Sequence, residues 1–189
     1  MRNLFAVLML AMFVPVVSAE DKVIDNPAFA TWAKQKVGTT MVMKTISETG
    51  GMKSEIAMTY KVVEVKADKV IVEVATKSTF NGMSFDAPAQ KMDIEKTFKV
   101  PAADPNAPKP EKPQFTTTTG EETLKIGGKD IKTKWTKVKG KSGDAEYESQ
   151  TWTSDDMPNM TVKMVSKNTG KDASMTTTTT MEVTEFKVP

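Results

Sequence analysis

From Gly38 onward the chain is a succession of strand-length segments, each ended by a turn signal only a few residues long. Val37 to Ile46 runs into Glu48-Thr49-Gly50-Gly51. Ile56, Met58, Tyr60 and Val62 then alternate along a second strand, which turns at Lys66-Ala67-Asp68-Lys69. Val70, Val72 and Val74 form the next apolar phase, and Asn81-Gly82 is a hairpin turn leading into Ser84 to Val100. Thr116 to Ile126, Lys129 to Lys139, Tyr147 to Thr153, Met160 to Lys167 and Met175 to Val188 continue the pattern, with Gly127-Gly128 the tightest link. Links this short join neighbouring antiparallel strands and leave no room for parallel crossovers. A twisted sheet this wide curls. The fold class expected is therefore all-β: a single strongly curved antiparallel sheet, or half-barrel, of about eight to ten strands.

Only one internal stretch reads as helical. Asn26 is placed to cap it and Pro27 to occupy its first turn. Phe29, Trp32 and Ala33 share a face, Lys34 and Lys36 fall near the end, and Gly38 stops it. Ahead of it, Arg2 followed by an apolar run from Leu4 to Val17 and the small-residue pattern Val17-Ser18-Ala19 reads as a signal peptide over residues 1–19. The run is shorter than a spanning helix needs, and no Cys follows the cleavage point to take a lipid. A periplasmic or extracellular product without a lipid anchor is expected. Residues 20–189 then make one β-rich domain, interrupted by five prolines between Pro101 and Pro113 that mark an exposed loop.

Composition removes many chemistries. There is no Cys and no His, so disulfides, Cys/His zinc sites, thiol nucleophiles and imidazole acid–base pairs are all excluded. Arg2 is the one Arg, so no guanidinium fork follows the signal segment, and the net charge of the whole chain is only +2. Both argue against nucleic acid as a partner. The best place for a hard cation is Ser154-Asp155-Asp156 with Asn159, but it lacks the glycine and distal glutamate of a calcium loop, and turns use these residues anyway. No catalytic constellation, metal site or cofactor is expected. The chain reads as a non-enzyme.

Two surface features remain. Met41, Met43, Met58, Met160, Met164 and Met181 fall on the apolar phase of their segments, as does Met175. Methionine is flexible and polarisable, so a concavity lined with it adapts to irregular apolar ligands; the same residues also make ordinary core. Lys129, Lys132, Lys134 and Lys137 lie with three further lysines in one hairpin around Trp135, a candidate contact for an anionic surface or a solvated, edge-guarding face. Trp135 shares the phase of Ile131 and Thr133, placing it either in the core or at the mouth of a ligand site. The Thr runs at 116–119 and 176–180 read as exposed strand surface.

The stretch from Gly120 to Lys134, with its Gly127-Gly128-Lys129 turn, and the later Trp152-Thr153-Ser154-Asp155-Asp156-Met157-Pro158 resemble a recurring theme in uncharacterised exported bacterial proteins. Those proteins are similar to the lipoprotein-carrier half-barrels. The resemblance implies a curved antiparallel sheet around a helix, able to shelter acyl chains, and it brings no catalytic residues. The function expected is an exported binding protein with a lipid or other apolar ligand in the Met-lined concavity, methionines and Trp135 supplying the contacts. The alternative is a structural or surface-interaction protein of the envelope, with a filled core and no small ligand.

Overall fold

In the computed structural model, residues 22–100, 114–142, 145–170 and 176–189 are described. The expected signal segment, the proline-rich stretch 101–113 and Met175 lie outside them. Apolar alternation sets the strands: β1 (Lys22–Asp25), β2 (Thr40–Thr49), β3 (Met52–Val65), β4 (Lys69–Phe80), β5 (Met83–Glu95), β6 (Thr97–Val100), β7 (Gln114–Ile126), β8 (Lys129–Ser142), β9 (Ala145–Thr153), β10 (Thr161–Thr169) and β11 (Thr177–Lys187). Nine of them form one antiparallel sheet in the order β5-β4-β3-β2-β11-β10-β9-β8-β7. The sheet is not closed into a barrel. The all-β antiparallel architecture is as expected, but it is not confined to one sheet. The segment read as Ser84 to Val100 breaks at Lys96, and its second part, β6, leaves to pair with β1.

Two meanders, β2 to β5 and β7 to β11, meet where β2 pairs with β11. Register shifts occur at Val62/Glu64 in β3, Val183/Glu185 in β11, Thr161/Lys163 in β10 and between β4 and β5 beside Val74. Extra residues of this kind bend the strands that carry them. β7 and β8 also run past the end of β9, whose last partner on β8 is Lys134. This free two-stranded ribbon twists more than a wide sheet does, and its tip folds back. A Cβ placed at Gly127 would lie 3.5 Å from the backbone nitrogen of Phe186 in β11. In a flat sheet those strands stand four spacings, about 19 Å, apart. The sheet is strongly curved.

The core occupies one end of one face. Helix α1 (Pro27–Trp32) is shorter than its sequence pattern suggested, although Asn26 caps it by accepting from the Ala28 N–H at 3.0 Å. It rests against β4 and β5. Trp32 is fully buried, its ring centroid 5.9 Å from that of Tyr60, among Met41, Met43, Val62, Val70, Val72, Ile94, Val183 and Phe186. From the other side comes the turn of residues 154–160, closed by Ser154 N–H donating to the Met160 carbonyl at 2.8 Å. It inserts Met157, also fully buried. The Trp32 indole donates to Asn159 Oδ1 at 2.7 Å and ties the two pieces together. Ile126, Leu124 and Ile131 from the ribbon tip complete this capped end.

Candidate functional site

Strand pairing extends the packed face well beyond the cap. Residues directly opposite across a sheet point to the same side, so each row can be followed from strand to strand. At the margin of the core lie Met58, opposite the core residue Met43, and Met181 opposite Met164. Met58, Met164 and Met181 are half-buried, whereas Met43 and Met41 are buried. The Tyr60 hydroxyl donates to Met58 Sδ at 3.3 Å, and burial holds its phenol above the ordinary value. The next row outward is nearly all hydroxyl: Ser54, Ser47, Thr179, Ser166 and Ser149 are consecutive partners across five strands. Ser47 and Thr179 are hydrogen-bonded at 3.2 Å, and Thr49 and Thr177, one row further, at 2.9 Å.

The two flanks of this hydroxyl row are aromatic. On β4 and β5, Phe80 pairs with Met83 and Ser78 with Phe85, and Ile56 and Met52 of β3 lie on the same side. All five apolar side chains are exposed, Phe85 by 61%. On the other flank Phe115 and Tyr147 both oppose Gly140 and are exposed as well. The face therefore steps from a sealed core to a half-buried methionine shelf and then to a hydroxyl band with apolar wings. Among the described residues no group of three or more acidic side chains is placed to hold a metal.

The predicted methionines are divided by this arrangement. Met41, Met43, Met58, Met164 and Met181 do share one face, but Met41 and Met43 are buried in the core cluster with Trp32. Met160 is not in a strand: it sits in the turn of 154–160 with φ +59°. Trp135 keeps the phase of Ile131 and Thr133 but belongs to the opposite face, because its partner Trp152 is paired in turn with Lys163 and not with the methionines. There the Trp135 ring lies across Gly120, where any Cβ would overlap it. Trp152 is buried, donates its indole N–H to Glu122, and has Lys163 Nζ 5.3 Å from its ring centroid.

The lysine hairpin is divided too. Strand alternation sends Lys132 and Lys134 to one side and Lys129 and Lys137 to the other. Lys137 and Lys139 both bind Glu148, at 2.7 and 3.1 Å, and Lys141 binds Glu146 at 2.5 Å. Those lysines hold both carboxyls below the usual range, mainly through hydrogen bonding. Lys129, Lys132 and Lys134 form no ion pair with a described residue. Lys132 and Lys134 instead border a cleft of about 610 Å³ together with Glu121, Glu122, Asp155 and Asp156. The cleft carries both signs of charge. Asn159, a partner in the suggested cation turn, is already engaged by Trp32.

Sequence reading missed Met157, the serine–threonine row and the Phe80/Met83/Phe85 corner. The row was recoverable in principle, since Ser47, Ser54 and Ser166 sit on apolar phases. Its alignment required the strand register.

No protein family matches the chain, and no curated protein matches it either. Among solved structures, the chain is similar to a conjecturally exported protein with a YmcC-like fold from Bacteroides fragilis. The TM-score is 0.41 at 9% identity, over 81% of this chain and 97% of that one, a likeness too distant to assign family or function.

Proposed function

We propose that this protein is an exported, non-enzymatic binding protein that holds an amphiphile against its open sheet face. The observation that carries the reading is the step from methionine shelf to hydroxyl band. Met58, Met164 and Met181 offer an adaptable apolar floor for a hydrocarbon chain, and the adjoining Ser47, Thr179 and Ser166 offer donors and acceptors to a polar head. Exposed apolar wings of this kind mark binding surfaces. Export rests on the signal segment, and no helix of the described residues is long and apolar enough to cross a membrane. The resemblance to lipoprotein-carrier half-barrels belongs to the same proposal, with one change: the ligand lies on the face beyond the cap, not under it. The filled capped end favours the alternative, a surface-interaction protein of the envelope with no small ligand.

The test is binding of the fluorescent amphiphile N-phenyl-1-naphthylamine, paired with native mass spectrometry for copurified lipid. The expected result is saturable fluorescence gain in the natural chain, weakened at least tenfold by the single change Met164→Lys, with far-UV circular dichroism unchanged. No saturable binding and no copurified lipid would leave the surface-interaction reading in its place.

A further inference from the structure

The nine-stranded sheet has two edges, and they are built differently. β5 carries Pro88, a register shift against β4 and the charges of Asp86, Lys91, Asp93 and Glu95. Proline, irregularity and charge are the devices that keep an edge from pairing with other chains. β7 has none of them over its first seven residues. Gln114 to Gly120 contains no charge and no proline, its register with β8 is unbroken, and Phe115 to Thr119 are exposed. Phe115 is 53% exposed. A straight, uncharged, β-branched edge is a template for another strand.

We infer that the β7 edge pairs with the β7 edge of a second copy, antiparallel, about a two-fold axis through Thr117. An axis perpendicular to the sheet joins residues of the same face, so Thr116 meets Thr118, Phe115 meets Thr119 and Gln114 meets Gly120. Every pair in this register is uncharged. Moving the axis to Thr118 sets Phe115 against Glu121, and moving it to Thr119 sets Thr117 there, whereas the Thr117 register is the one that pairs the whole uncharged segment from Gln114 to Gly120 with itself. The contact is isologous, as two-fold dimers are. It covers Phe115 with the partner's Thr119 and joins two open faces into one continuous surface. The inference is independent of whether that face holds a ligand.

Sedimentation velocity over a wide concentration range tests the association, and a cysteine scan places it. The chain has no Cys of its own, so a single Thr117→Cys meets only its copy. Its Cα separation across an antiparallel pair lies within disulfide range. The expected results are a concentration-dependent dimer, rapid disulfide dimerisation of Thr117→Cys, and slow dimerisation of Ser84→Cys on the β5 edge. Thr116→Glu/Thr118→Glu sets Glu against Glu in both cross-strand pairs of the dimer, while within its own chain each Glu faces Lys139 or Lys137 of β8; it should weaken the dimer more than tenfold while far-UV circular dichroism stays unchanged. A natural chain that stays monomeric at all concentrations overturns the inference. So does a Glu variant that dimerises normally, or equal disulfide rates at Thr117→Cys and Ser84→Cys.

Discussion

The capped end and the far end of this sheet are made of the same strands but follow different rules. At the capped end, β2, β3 and β4 contribute Met41, Tyr60, Val62, Val70 and Val72 to a core that α1 and the turn of 154–160 close from above. A few residues further along, the same strands contribute Ser47, Ser54 and Ser78, with no helix or turn of the described residues packed over them and both faces at least partly exposed. Stability is concentrated in the first region. The second is held by the backbone ladder and by hydroxyl pairs such as Ser47–Thr179, which leaves its surface available for recognition.

The largest break in that contrast comes from the cap. Trp32→Ala removes a fully buried indole and leaves Asn159 without its donor. A loss of about 3–5 kcal/mol is expected in urea unfolding; a loss below about 1 kcal/mol would mean that the two ends are not different in kind. Thr179→Ala probes the far end, where a half-exposed hydroxyl pair is worth about 0.5–1 kcal/mol. A value approaching that of Trp32→Ala would erase the distinction.

The smallest effect concerns the ion pairs on the lysine ribbon. Lys137 and Lys139 keep the Glu148 carboxyl below its usual range, so the folded chain takes up this proton at lower pH than the unfolded chain. The stabilisation is therefore present above the ordinary carboxylate range and is lost as pH falls through the depressed value. Thermal melts of Glu148→Gln should lie slightly below the natural chain at neutral pH and low salt. That gap should close on acidification and in high salt.

The strand plan was legible because alternation and short turns were both strong. The Asn81-Gly82 and Gly127-Gly128 turns fall where expected, with positive φ at all four residues. What the sequence concealed was pairing between distant segments. Trp135 was correctly phased with Ile131, yet only the register against Trp152 and Lys163 shows that this phase faces away from the methionines. Met160 reads as the start of a strand because it is apolar and follows a turn. It remains in that turn, where the Ser154–Met160 hydrogen bond closes the loop around Met157. The shared phase of Met58, Met164 and Met181 was legible, whereas the burial of Met41 and Met43 and the hydroxyl row were not, since serine and threonine on a strand look alike whether or not they line up across five of them.

The junction of β2 with β11 sets the order in which the molecule can be assembled. Thr49 and Thr177 are 128 residues apart in sequence, and this distant pairing lies at the middle of the sheet, while the local hairpins lie to either side. Each meander can zip along its own turns early, but the core needs Val183 and Phe186 beside Met43 and Met41, so it cannot condense until β11 has been made. Closing a loop of that length is slow compared with forming hairpins. In the interval β2 and β10 are bare edges, each seeking the same missing strand, and this is when mispairing between chains is most favoured.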